Sequence, residues 1–354
     1  MKISDLLKKE NNNLDFIRII LACLVIIGHA PILNGNSENW HDPIGYFFGF
    51  TYSGALAVKL FFFISGLVVT NSFIIKKSSS YFIFSRTFRL IPALLFVLLI
   101  SSLLIAPLVT KLSFSDYFSN IQVFKYIQNN LFFNTDFALP GVFIDNFYKG
   151  AVNGSLWSLH FEVGCYIVLL AIFMLLGKKN KYYLNIPIIL IIIDSLLPTR
   201  FILGFLGDNS EVYLLPFSFA IGAFFAVNAD KLQMNFSIVI GSFLMYFIFK
   251  GTAFTHILFI FGSCNLLLFL SYNSLIIKLK PKYDISYGIY LWGFFIQQTI
   301  VFYTGHIYVG LHCVIALLIC IIFGFISNIF IEKPFITYGK NCYNYYKNKT
   351  QYFL

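Results

Sequence analysis

From Leu14 to Ala30 the chain reads LDFIRIILACLVIIGHA, and runs of this kind recur almost to its end. About 17–25 apolar residues is the length that carries a helix through a bilayer. Read between polar breaks, the pattern predicts ten such helices, near 14–33, 54–75, 90–110, 155–176, 184–204, 212–228, 236–250, 254–277, 286–305 and 309–331. A helix satisfies its own backbone in lipid, and no alternating barrel pattern is present, so the expected class is all-α. Charged residues make up 11% of the chain and hydrophobic ones 58%. A soluble surface ordinarily draws on about 25% charged residues. The expectation is a polytopic integral membrane protein.

Basic residues set the orientation. With the N-terminus in the cytoplasm, strict alternation puts 18 of the 25 Lys and Arg inside. Among these are Lys2, Lys8, Lys9, Lys76, Lys77, Arg86, Arg89, Lys178, Lys179 and Lys181. Five fall outside (Lys111, Lys125, Lys149, Arg200 and Lys250), while Arg18 and Lys59 lie within helices. This asymmetry predicts both termini cytoplasmic. The net charge of +10 then reports topology and gives no sign of a nucleic-acid partner. Residues 1–335 are expected to form the membrane domain and 336–354 a cytoplasmic tail. The first run follows a polar segment and lacks a small-residue cleavage site, so it is expected to stay in the mature protein. The stretch 111–154 should face outward, with amphipathic or re-entrant pieces. Five of six cysteines sit in apolar runs without metal-ligand spacing, so neither disulfide nor metal is expected.

Several polar residues stand where lipid resists them. Arg18 and His29 are eleven positions apart, nearly three helical turns, so they share a face and lie roughly 16 Å apart along the axis. Asp15 joins that face one turn before Arg18. Intramembrane charges of this kind usually face a bundle interior or a water-filled cavity. Arg18 also admits a snorkelling role at the inner edge, and His29 interfacial packing. In SLWSLHFEVGCY, Glu162 is expected at a depth similar to that of His29, as the carboxylate that orients it and makes it more basic. His160 points elsewhere on that helix. Arg86 and Arg89, one turn apart, suit either positive-inside anchoring or a phosphate clamp. Lys59 adds a further cation, and Asp194 is an acid with no evident partner.

Taken together these segments resemble the membrane-bound acyltransferase 3 family of bacterial O-acyltransferases. The carriers are the Arg18–His29 spacing, LFFFISG at 60–66 and SRTFRLIPA with Arg86, Arg89 and Pro92. The loop from LPGVFIDNFYKG into SLWSLHFEV, SYGIYLW at 286–292 and EKPF at 332–335 complete the set. One departure is Gly293, where many members carry histidine after the YLW triplet; Gln297 and Gln298 are the nearby polar groups. The resemblance implies transfer of an acetyl group from cytosolic acetyl-CoA to a hydroxyl of a cell-envelope polysaccharide or lipid-linked glycan, in the bacterial inner membrane. It gives catalytic roles to His29, as base or acyl carrier, with Glu162 and Arg18. It gives donor binding to Arg18, Arg86, Arg89 and Lys59, and no metal. A transporter or flippase for an anionic or lipid-linked glycan is the alternative from another class, although no internal repeat supports it.

Overall fold

A computed structural model describes residues 1–35, 42–177 and 180–351, with side chains through residue 349. Lys178 and Lys179, counted above toward orientation, lie outside the described residues, as does the end of the 336–354 segment. Regular structure among the described residues is helical, with only isolated β-bridges beside it. Among the described residues, six helices are long and apolar enough to cross a membrane: Leu14–Leu33, Ser53–Lys76, Ser79–Val109, Gly154–Gly177, Ser210–Val227 and Val309–Lys349. Phe236–Ile248 and Thr255–Ser271 are shorter apolar helices. Ser286–Thr304 is long enough but carries Tyr287, Tyr290, Gln297 and Gln298.

Three predicted boundaries move. The third helix begins at Ser79 and not near residue 90, so Arg86 and Arg89 sit inside it. The fifth predicted span, 184–204, is α-helical only over Asn185–Asp194, with short 3-10 turns at either end. Pro198 removes an amide donor and disfavours helix at Leu197, so the run cannot continue. Asp194 finds its partners there: its carboxylate accepts from the backbone amides of Ile202 (2.9 Å) and Leu203 (2.8 Å). The acid thus closes a helix end by binding backbone and needs no cation. The last helix does not stop near 331 but passes through a π-helical turn, Ser327–Glu332, into Lys333–Gln351.

The chain divides into two compact units. One comprises Met1–Leu21, Ala55–Ser79 and Phe161–Lys282. Its N-terminal residues are pinned by backbone hydrogen bonds: Ile3 N donates to Leu232 O and Ser4 N to Ala229 O. Asn13 donates from its side chain to Ile276 O. The helices Ser53–Lys76 and Ser210–Val227 meet backbone to backbone. A Cβ on Gly66 would lie 2.1 Å from Phe219 O, and one on Gly222 2.1 Å from Phe63 O. Only glycine allows that approach, the device by which membrane helices gain contact without a hydrophobic drive. Gly222→Ala is expected to destabilise the protein on the order of 2 kcal/mol through overpacking. Thermal melting in detergent checks it; an unchanged midpoint would deny the contact.

The other unit comprises Ala22–Gly54, Ser80–His160 and Tyr283–Leu354. Its Ser286–Thr304 and Val309–Ile326 helices form a hairpin turned by Gly305 at positive φ. A Cβ on Gly288 would lie 2.8 Å from Gly324 Cα, so this pair is also close. The stretch 111–154 contains two short helices, Phe114–Ser119 and Ile121–Leu131, each capped by a side chain before it (Ser113 and Asn120). Val123, Tyr126 and Asn130 form the buried stripe of the second, the amphipathic spacing expected for this segment. Residues 146–158 are tied to the Ser286–Thr304 helix. Gln298 donates to Tyr148 O and Ala151 O and accepts from Asn146, while Asn153 donates to Leu291 O. The Tyr290 hydroxyl donates to Ser155 O and lies 2.6 Å from Ser158 Oγ.

Candidate active site

His29 lies near the end of the Leu14–Leu33 helix, which is unbroken from Arg18 to His29. Its side chain is half-buried, and its Nδ1 is buried without a hydrogen-bond partner among the described residues. The imidazole stands edge-on to Phe294, with ring centroids 5.5 Å apart. Phe294 is held in turn by Tyr148, edge-on at 5.8 Å, and covers Gly154, where a Cβ would meet its ring at 2.5 Å. The loop before the SLW segment therefore reaches the histidine through one phenylalanine. An apolar ring beside the imidazole fixes its plane without occupying Nδ1, which stays open for other chemistry.

Gly293, the departure noted in the sequence, sits against the same helix. A Cβ there would lie 3.0 Å from Ile26 Cγ1, and Gln297 one turn later donates to Ile26 O at 2.9 Å. A histidine at 293 would have to displace Ile26. This chain fills that place with helix-to-helix contact, and Gln297 is a packing tie in it.

Glu162 belongs to the other unit and has a cluster of its own there. The Tyr166 hydroxyl donates to Glu162 Oε1 at 2.5 Å from one turn along the same helix. Ser65 Oγ donates to the same oxygen at 3.3 Å and lies 2.8 Å from the Tyr166 hydroxyl. Ser65 precedes the glycine of LFFFISG, so that segment supplies both the close approach at Gly66 and a hydroxyl to the carboxylate. Neither Ser65 nor Tyr166 was singled out by sequence, although Tyr166 stands at the i+4 spacing that makes the contact.

The predicted donor-binding cations divide. Lys59, fully buried in the first unit, pairs with Glu211 at 2.6 Å. Arg89, in the second, places one guanidinium nitrogen 3.0 Å from Asp284 and another 3.1 Å from Glu332. Glu332 has no exposed surface and also accepts from Ser327 Oγ. Asp284 accepts from Ser286 Oγ at 2.6 Å, and its carbonyl accepts from Asn328. The π-helical turn Ser327–Glu332 carries Glu332 inward, as such turns often do at sites with a task. Arg86 instead lines a cleft facing the C-terminal helix. Arg18 lies on the segment of its helix assigned to the first unit and is half-buried. His160 is exposed.

Two protein relatives share parts of this sequence. Over 314 residues, 82% of this chain and 86% of the relative, it is 28% identical to an O-acetyl transferase of Shigella phage Sf6. Over 90 residues, 24% of this chain and 22% of the relative, it is 37% identical to nodulation protein 10 of Rhizobium leguminosarum bv. viciae. No solved structure matches it. A family model described as an acyltransferase domain matches residues 11–332, which takes in His29, the Arg86 and Arg89 pair, Glu162 and Glu332. The chain belongs to that acyltransferase family.

Proposed function

We propose that this protein is an O-acetyltransferase. It takes an acetyl group from cytosolic acetyl-CoA and places it on a hydroxyl of a cell-envelope polysaccharide or lipid-linked glycan. It works in a bacterial inner membrane, with about ten crossings and both termini in the cytoplasm. Support comes from family membership along nearly the whole chain, and from a relative named for O-acetyl transfer that aligns with most of it.

One observation carries the chemical reading, the buried Nδ1 of His29 without a partner. Leaving a buried polar atom unpaired costs about 1–3 kcal/mol, a cost retained where the atom has another use. In this reading the neutral imidazole takes the proton of the acceptor hydroxyl as its oxygen attacks the thioester carbon, and the thiolate of CoA leaves. Alternatively the imidazole accepts the acetyl group first and passes it on. Glu162 is the carboxylate assigned to the same reaction, held in one rotamer by Tyr166 and Ser65. Arg18 and Arg86 are assigned to the donor's phosphates, which guanidinium forks suit. Lys59 and Arg89 carried the same assignment; the carboxylates on each favour a structural part.

Label from acetyl-CoA, followed with purified protein and acceptor-bearing lipid extract, tests the reading. Base-labile label on glycan is expected. If wild type neither binds nor consumes acetyl-CoA, the donor assignment falls and transport of a glycan becomes the reading to test. Tyr166→Phe removes one hydroxyl from Glu162 and is expected to slow transfer about tenfold, the worth of a hydrogen bond to a charged group. Transfer at the wild-type rate would remove Tyr166 from the account.

A further inference from the structure

In the second unit, a cleft separates the Ser79–Leu99 helix from the Lys333–Gln351 helix. Arg86 and Lys340 line it from opposite helices; the Ser85 hydroxyl beside them donates to Phe82 O and accepts from Arg86 Nε at 3.4 Å. Neither Ser79–Leu99 nor Lys333–Gln351 contains Asp or Glu, and Glu332, in the turn just before the latter, lies on Arg89. Arg89 reaches the cleft too, but its guanidinium nitrogens lie on Asp284 and Glu332. Lys340 is exposed and makes no ion pair among the described residues.

Aromatic rings hold the two helices in register. Tyr81 meets Tyr343 edge-on at 5.2 Å, and Phe88 meets Tyr338 edge-on at 5.7 Å. Gly339 permits the approach, since a Cβ there would lie 2.6 Å from the Phe88 ring. Lys340 is the next residue, so the contact that seats the helix also fixes where its ammonium starts. Two cations of different type on facing helices, between aromatic walls, make a setting for phosphate. Guanidinium forks bind two of its oxygens, and an ammonium supplies the point charge.

We propose that this cleft binds a phosphate ester through Arg86 and Lys340, with the C-terminal helix as half of the site. That helix lies beyond the residues of the family match. Two sources offer the chemistry, the phosphorylated nucleotide end of CoA and an anionic lipid headgroup. The first rests on the donor proposed above.

Full-length protein in detergent would be titrated with CoA, with 3′-dephospho-CoA and with S-acetylpantetheine, which lacks phosphate. In parallel, phosphatidylglycerol retention would be compared with phosphatidylcholine retention in nanodiscs. Lys340→Ala is expected to weaken CoA binding about tenfold, the loss of one charge-assisted contact, and to leave S-acetylpantetheine unaffected. Lys340→Arg should restore it. If Lys340→Ala instead lowers only phosphatidylglycerol retention, the phosphate site stands and its source is lipid. Unchanged CoA affinity together with unchanged lipid retention overturns the site. An equal loss with S-acetylpantetheine overturns it as well. Wild type that binds no CoA, yet loses phosphatidylglycerol on Lys340→Ala, sinks the donor reading and spares the cleft. Wild type that binds CoA no better than Lys340→Ala does, with lipid retention unchanged, sinks the cleft and spares the donor.

Discussion

His29→Ala is expected to lower acetyl transfer at least about 100-fold, the low end of what a positioned general base contributes. If the imidazole also carries the acetyl group, the loss is larger, because the route itself disappears. The fold should survive the change. His29 is only half-buried, its one described ring neighbour is Phe294, and no described hydrogen bond of its Nδ1 is lost. Arg18→Ala should act differently, weakening acetyl-CoA binding while leaving the chemical step of bound donor close to wild type. The two routes open to His29 separate on acid quenching. A covalent acyl-imidazole leaves label on wild-type protein and none on His29→Ala, whereas direct transfer leaves none on either. Transfer by His29→Ala at the wild-type rate would return the residue to plain packing against Phe294.

The helical class and the extent of the first helix were legible because they rest on length and period, which a sequence displays directly. Leu14–Leu33 forms as the apolar run predicts, and the spacing of Arg18 and His29 falls on unbroken helix. The break in the fifth predicted span was also written, in Leu197–Pro198, but apolar residues on both sides masked it. Asp194 resisted reading because its partners are the backbone amides of Ile202 and Leu203, and any residue type supplies an amide. Ser65 and Glu162 meet across distant segments, which no local pattern encodes. The extension of the third helix back to Ser79 was hidden by a polar start, SSYFIFSRTFR, that reads as loop on hydropathy alone. Gln297 and Gln298 were noticed as polar groups, yet their use as ties to Ile26 O, Tyr148 O and Ala151 O depends on neighbours fixed only in the fold.

Arg89 and Glu332 show how one position admits two readings until its partner is known. From sequence, Arg89 was half of a phosphate clamp. In the structure it joins three segments of the second unit, with Asp284 before one helix, Glu332 in the π-helical turn of another, and the Tyr287 ring 5.8 Å from its guanidinium carbon. Glu332 is wholly buried, so removing the arginine leaves a carboxylate short of its counter-charge. Arg89→Ala is therefore expected to destabilise the protein by about 3–5 kcal/mol, the range for breaking a buried pair from one side. Adding Glu332→Gln should recover most of that loss, since an amide does not need the cation and still accepts from Ser327 Oγ. A donor-binding arginine would behave otherwise. Its loss would raise the KM for acetyl-CoA with little change in melting, and no substitution at Glu332 would repair it. Melting of the two single variants and the double variant in detergent, beside their acetyl-CoA dependence, distinguishes the roles. Failure of the double variant to regain stability, with a raised KM for acetyl-CoA, would return Arg89 to the phosphate and leave Glu332 as a second, independent contributor to the fold.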